Sequence, residues 1–181
     1  MKSIFIRGKP QEITQVLTNK DARAAYQGSL MTCYPSNVII AVKLNVPGPI
    51  KNNVELSRLF DQGLGDLLSD LARLNPVKIA IWDRPTGKEA FIRLTKGTLR
   101  EAKTLGVHFE DRASLGRLFD VDIMSNGQTL SRRDLHLPVR QCFLCQKPAK
   151  ECARSRTHSI ADLQAAISAL YWSTIQGGGK V

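Results

Sequence analysis

Gly116-Arg117-Leu118-Phe119-Asp120-Val121-Asp122-Ile123-Met124 sets two aspartates one residue apart inside an apolar run. Side chains at i and i+2 of a β-strand face the same way. Asp120 and Asp122 are therefore expected to project together, with Val121 turned into the core. Two carboxylates side by side repel unless a cation lies between them. Mg²⁺ takes oxygen ligands and commonly uses one or two carboxylates together with substrate phosphates. The pair is thus the catalytic and Mg²⁺-binding arrangement that a phosphoryl or nucleotidyl transfer site needs. By itself the spacing also suits a solvated strand edge or an acidic cap.

Downstream, Asn126-Gly127 is a strong hairpin signal that returns the chain through residues 128–132. Upstream, residues 37–46 (NVIIAVKLNV) are dense in β-branched side chains and read as a buried strand, stopped by Pro47-Gly48-Pro49. Residues 53–74 carry a helical apolar stripe that includes Leu56, Leu59, Phe60, Leu64, Leu67 and Leu71. Residues 10–31 read as a more polar helix with Ile13, Val16, Leu17, Tyr26 and Leu30 as its apolar positions. Residues 77–82 and 90–94 read as strands around the turn Arg84-Pro85-Thr86-Gly87, and Thr98 with Glu101 has capping-box spacing for a helix to about residue 105. Residues 138–157 read as irregular, and Ser159 caps a last helix. The tail Gly177-Gly178-Gly179-Lys180 is expected to fray. The fold class is α+β: a mixed, largely antiparallel sheet with flanking helices and a Cys-rich C-terminal segment. One domain over residues 1–181 is expected, with a Cys/Arg-rich segment at 136–158 and a C-terminal helix at 159–176.

The charge narrows the partners. With 26 Lys+Arg against 16 Asp+Glu, the formal charge is +10, which favours an anionic ligand or an acidic protein. Aromatics make up 6% of the chain and show no stacking pattern, so nucleic-acid binding is not expected. No apolar run approaches the ~20 residues that cross a bilayer, and the N-terminus is too short in apolar residues for a signal peptide. A cytoplasmic protein with reduced cysteines is the expectation.

Three further groups carry chemistry. Arg117, Arg132 and Arg133, with Arg112 and Arg140 nearby, flank the acidic strand, and arginine binds phosphate through a bidentate fork. Each one singly is also an ordinary surface charge. Asp134 is a third acid in this region, expected to pair with one of these arginines. Cys142-x2-Cys145-x6-Cys152-x5-His158 offers a tetrahedral set for structural Zn²⁺, or alternatively reduced cysteines packed as small hydrophobes. Lys51, after the Pro47-Gly48-Pro49 bend, either meets a phosphate near the following helix N-terminus or is an exposed lysine. The loop is not a P-loop, because Gly-x4-Gly-Lys-Ser/Thr is missing. Cys33 is expected to pack in the core.

GRLFDVDI (116–123), SRRDLHLP (131–138), RQCFLCQKPAKECARSRTHS (140–159) and the upstream VPGPIKNNVELSRLFDQG (46–63) together resemble the apo-citrate lyase phosphoribosyl-dephospho-coenzyme A transferases, also called holo-citrate lyase acyl carrier protein synthases. The resemblance runs from about residue 21 to about 166. It implies transfer of phosphoribosyl-dephospho-coenzyme A from 2′-(5″-triphosphoribosyl)-3′-dephospho-coenzyme A to a serine of the citrate lyase acyl carrier (gamma) subunit, with release of diphosphate. It also implies Asp120 and Asp122 as the catalytic Mg²⁺ ligands, and Gly116, Arg117, Arg132, Arg133, Lys51 and Arg58 as phosphate-binding residues. A nucleotidyltransferase-like fold follows from the same resemblance, although Gly116-Arg117 lies nearer to the acids than that superfamily's usual Gly-Ser pair. Alternatives are the related carrier synthase of malonate decarboxylase, a zinc-stabilised nucleic-acid-binding module, and a non-catalytic assembly partner of citrate lyase.

Overall fold

The computed structural model describes residues 2–112 and 115–177. Along the chain run α1 (Ile13–Cys33), β1 (Val38–Leu44), α2 (Val54–Asp70), β2 (Pro76–Arg84), β3 (Gly87–Leu94), α3 (Leu99–Asp111), β4 (Phe119–Ser125), β5 (Gln128–Thr129), α4 (Ala149–Ser155) and α5 (Ile160–Gly177). The five strands form one sheet in the order β2-β3-β1-β4-β5. Every ladder among the described residues is antiparallel. The α+β class holds, and the mixed component of the expected sheet is absent among these residues.

Local chemistry accounts for most of the element ends. Asn53 Oδ1 accepts the Leu56 N–H at 2.8 Å and starts α2. Thr98 and Glu101 close a capping box that starts α3. Ser159 and Asp162 bond reciprocally at the head of α5. Asn126 and Gly127 both have positive φ, as a type I′ hairpin turn requires. The returning strand β5 is only Gln128–Thr129, shorter than expected. Ser131 and Asp134 then form a local turn in which the Asp134 carboxylate accepts the Ser131 N–H and Oγ–H, each at 2.8 Å. Asp134 therefore caps a turn instead of pairing with an arginine, as the sequence had suggested. Residues 138–157 are not wholly irregular: Ala149-Lys150-Glu151, behind Pro148, start the short helix α4. The expected fraying of the Gly177–Lys180 tail concerns residues 178–180, outside those described.

The two sides of the sheet are packed differently. On one side, Val38, Ile40 and Val42 of β1 meet Ile92, Val121 and Ile123, and α2, α3 and α5 close over them. The α2 stripe Leu56, Leu59, Phe60, Leu64 and Leu67 is buried as its spacing predicts. Gly63 lets α2 lie against the Phe119 ring, where a Cβ would collide. On the other side, among the described residues, only α1 covers the strands. A small cluster of Leu30, Ile39, Ala41, Phe91 and Met124 is joined there by Tyr26 and Trp82. Of the apolar positions expected along α1, Leu30 alone is fully buried, while Ile13 is 76% exposed and Leu17 49%. The first half of α1 overlies charged strand positions, so its apolar residues have nothing dry to meet. Cys33, at the end of α1, is exposed and not part of the core.

Candidate active site

The charged positions form one row across the sheet. Lys43 of β1 lies opposite Glu89 of β3 on one side and Asp120 of β4 on the other. Asp122 is one pleat further along, opposite Ala41. Alternation puts all four side chains on the α1 side of the sheet, away from the main core. Lys43 Nζ is 2.9 Å from Asp120 Oδ2. Arg23, reaching down from α1, lies 3.5 Å from Asp122 and 3.8 Å from Glu89. Asn19, one turn earlier on α1, donates to Glu89 at 2.6 Å.

The two aspartates share a face but not an environment. Burial pushes the Asp120 carboxyl up, yet the Lys43 ammonium, Arg140 and Arg23 outweigh it and hold the group below the usual carboxylate range. Burial and the neighbouring Asp120 charge push Asp122 above that range, against Arg23, Lys43 and Lys103. Two acids so close titrate as a coupled pair, one ionising readily and the other reluctantly. Their side chains keep 37% and 43% of their surface exposed, so a ligand can reach both. Partly exposed carboxylate oxygens, crowded by like charge, form a donor set that fits a hard divalent cation.

Around this pair the arginines take distinct roles. Arg140 lies 3.8 Å from Asp120 and 3.7 Å from Glu110, and donates to the Arg117 carbonyl at 2.8 Å. Glu110, only 6% exposed, accepts the Val121 N–H at 2.9 Å. These contacts satisfy the edge of β4 beyond the short β5 and dock α3 against it. Arg132 is held by Glu110 and Asp111, each at 2.7 Å. Arg117 donates to the Cys142 carbonyl. Arg133 is exposed, in the turn after Arg132. Gly116 is buried against the Phe109 carbonyl, where a Cβ would collide, so this glycine permits close packing. Lys51 joins the charged row, with Nζ on the Val46 carbonyl at 2.7 Å; burial and then Lys43 hold its ammonium below the usual lysine range. Arg58 does not join it: it is on α2, across the sheet, and donates to the Tyr171 hydroxyl at 3.4 Å.

Two cavities meet at Asn45, at the end of β1. One, about 350 Å³, lies between α1 and the ends of β1 and β3 and includes Arg23, Lys43, Lys51 and Glu89. The other, about 700 Å³, is more apolar and lies between α4, α5 and the turn at Gly116–Leu118, with Arg117, Arg140 and Phe143 on its wall. Asp120 stands between them, touching Lys43 of the first and Arg140 of the second.

The wall of the larger cavity also contains Cys142, Cys152 and His158 of the cysteine cluster. Residues 142–147 form a knuckle in which the Cys142 N–H donates to the Lys147 carbonyl at 2.8 Å. Cys145 occupies the knuckle, Cys152 is on α4, and His158 precedes α5. One ligand atom from each of Cys142, Cys145, Cys152 and His158 lies within 4.8 Å of the others. Cys145 and Cys152 are 3.5 Å apart at sulfur, and His158 Nε2 is 3.3 Å from the Cys145 sulfur. Edges of a tetrahedral thiolate–imidazole site run to about 3.3–3.8 Å, so this cluster could hold a metal ion. Burial raises the Cys142 thiol, but the Leu144 and Cys145 backbone N–H groups, with Cys152 and Cys145, outweigh it and leave the group below the usual range.

Sequence reasoning passed over Arg23, Lys43 and Glu89. A signal was available for Lys43, the one charge in the apolar run of residues 37–46. None was available for Arg23 or Glu89, which meet across 66 positions of chain.

A family model for apo-citrate lyase phosphoribosyl-dephospho-CoA transferase matches residues 11–174, and the chain belongs to this family. It is 32% identical over 176 residues to a probable apo-citrate lyase phosphoribosyl-dephospho-CoA transferase of Streptococcus pyogenes serotype M18, covering 95% of this chain and 91% of the relative. Identity to the Citrobacter koseri apo-citrate lyase phosphoribosyl-dephospho-CoA transferase is 33% over 161 residues, covering 87% of each. Protein CitXG of Leuconostoc mesenteroides subsp. cremoris is 38% identical over 161 residues, covering 87% of this chain; the match spans 34% of that longer protein.

Proposed function

We propose, from its membership of this family, that the protein transfers the phosphoribosyl-dephospho-coenzyme A group to the apo acyl carrier protein of citrate lyase. The donor in this reading is the triphosphoribosyl-dephospho-coenzyme A, and the chemistry is that of a nucleotidyltransferase. A carrier serine oxygen bonds to the α-phosphorus as the bond to the diphosphate oxygen breaks, and the hydroxyl proton is lost. The observation that carries the reading is the placement of Asp120, with Asp122 one pleat away, between Lys43 of a cationic cavity and Arg140 of a larger, more apolar one. A long donor whose reactive phosphate lies between two unlike ends needs such a layout.

The chain's own groups have separable tasks. Asp120 and Asp122 would hold Mg²⁺, which when bound supplies positive charge against the developing phosphate charge. Lys43 and Arg140 grip Asp120 from opposite sides and fix its carboxylate. Arg23 balances Asp122 and Glu89 from α1. The larger cavity, at about 700 Å³, has room for the dephospho-coenzyme A body. Cys142, Cys145, Cys152 and His158 would hold a structural Zn²⁺ that ties the knuckle and α4 to α5 and so shapes that cavity's wall. Ligation through thiolates requires reduced cysteines, in keeping with action in the cytoplasm; among the described residues no helix is long and apolar enough to cross a membrane. The excess positive charge would steer an acidic carrier.

The test is the intact mass of apo citrate lyase acyl carrier protein after incubation with this protein, Mg²⁺ and the donor. A gain of one phosphoribosyl-dephospho-coenzyme A, lost with Asp120→Ala, is expected. No gain on this carrier, but a gain on the malonate decarboxylase carrier, would move the acceptor and overturn this assignment.

A further inference from the structure

The 350 Å³ cavity beside the acid pair has an electrostatic character at odds with its surroundings. Lys20, Arg23, Lys43 and Lys51 line it against one carboxylate, Glu89. Lys88 borders it as well, but turns its ammonium 2.7 Å from Asp61 on the other side of the sheet. Burial, and then the Lys43 charge, hold the Lys51 ammonium down, and an anion in the cavity would offset both. Thr86 Oγ1, on the β2–β3 turn that lines this cavity, is buried without a hydrogen-bond partner among the described residues, and Arg23 Nη1 reaches Asp122 only at 3.5 Å. A buried donor left unmatched is costly and marks a place where an acceptor belongs. Glu89, 3% exposed, accepts from Asn19 through Oε1 at 2.6 Å, while its buried Oε2 has no hydrogen bond and only Arg23 beside it at 3.8 Å; the cations on the cavity outnumber this one acid.

We propose that this cavity binds the two terminal phosphates of the donor's triphosphate, the diphosphate that leaves, with Lys51, Lys20, Arg23 and Thr86 as the donors. The assignment rests on the transferase reading above and extends it by orienting the substrate. Lys43 is shared: it lines the cavity and holds Asp120 at 2.9 Å. Phosphates seated there place the next one at the acid pair, and the ribosyl-dephospho-coenzyme A on the Arg140 side. A single phosphate is too small to meet donors from α1, β1, the residue 51 loop and the β2–β3 turn together. Linked phosphoryl groups can span them. The phosphate role thus falls to residues other than Arg132, already held by Glu110 and Asp111, and Arg58, on the far side of the sheet.

Titration calorimetry of the metal-replete protein with inorganic tripolyphosphate tests this without any transfer reaction. Lys51→Ala should weaken binding roughly tenfold or more, the worth of one charge-assisted hydrogen bond, and Lys51→Arg should restore most of it. Lys78→Ala, which removes an equal charge from the exposed edge strand β2, should change affinity by less than about twofold. Absence of binding to the wild type, or an equal loss in Lys51→Ala and Lys78→Ala, overturns the proposal. The carrier mass assay separates the two readings. Tripolyphosphate binding that depends on Lys51, without transfer to any carrier, keeps the cavity and removes the reaction. Transfer with a donor KM unaltered in Lys51→Ala keeps the reaction and removes the cavity.

Discussion

On one face of β1, Val38, Ile40 and Val42 lie in a dry core under three helices; on the other, Ile39 and Ala41 give way to Lys43 beneath a single helix. The same seven residues serve packing through one set of side chains and chemistry through the other. Alternation along the strand keeps the two from competing. The packed face supplies rigidity, and the α1 face can carry unbalanced charge because it is not required to bury much apolar surface.

This contrast can be broken most forcefully on the packed side. Phe60 is fully buried and lies 5.8 Å from the Phe119 ring, centroid to centroid. Phe60→Ala should cost about 3–5 kcal/mol in urea unfolding, and a loss near zero would show that the core does not depend on this face. On the charged side the order reverses. Asp122→Asn should lower the transfer rate by about 10²–10³-fold while the melting temperature moves by less than about 4 °C. A variant that transfers normally would remove the acid pair from the mechanism.

A third measurement concerns the wall of the larger cavity. About one zinc per chain is expected in protein purified without chelator, and Cys145→Ser should release it. Fresh reduced protein without zinc would leave the cluster as packed thiols. A smaller effect sharpens the contrast through pH. Burial first, opposed by Asn19, Arg23, Lys43 and Arg84, leaves the Glu89 carboxyl above the usual range. The folded state therefore keeps that proton longer than the unfolded chain. Its contribution is complete below the ordinary glutamate value of about 4.3 and is lost as pH rises through the folded-state value. Urea midpoints of wild type minus Glu89→Gln should accordingly fall as pH rises above about 4.3; a flat difference would mean that Glu89 is not strained by burial. Smallest of all, Leu17→Ala on the exposed half of α1 should stay within about 0.5 kcal/mol of wild type.

Much of this molecule was legible without coordinates, because periodicity and capping are local. The α2 stripe, the Thr98–Glu101 box, the Asn126-Gly127 turn and the shared face of Asp120 and Asp122 all follow from spacings of a few residues. The cysteine and histidine spacing likewise announced the cluster that the fold gathers. Partner choice among the charges was not legible. Arg132 and Arg117 flank the acidic strand in sequence, yet one is held by Glu110 and Asp111 and the other reaches the Cys142 carbonyl. Arg23, silent in the sequence, and Lys43, the lone charge of an apolar run, meet the acids, with Arg140 also beside Asp120.

The order of residues by itself determined which side chains share a strand face or a helix stripe, since 2.0 and 3.6 residue periods are properties of the backbone. Only the tertiary structure decided which cation faces which acid. That depends on antiparallel register across β3, β1 and β4 and on where α1 lies over them, set by burial over distances of dozens of residues.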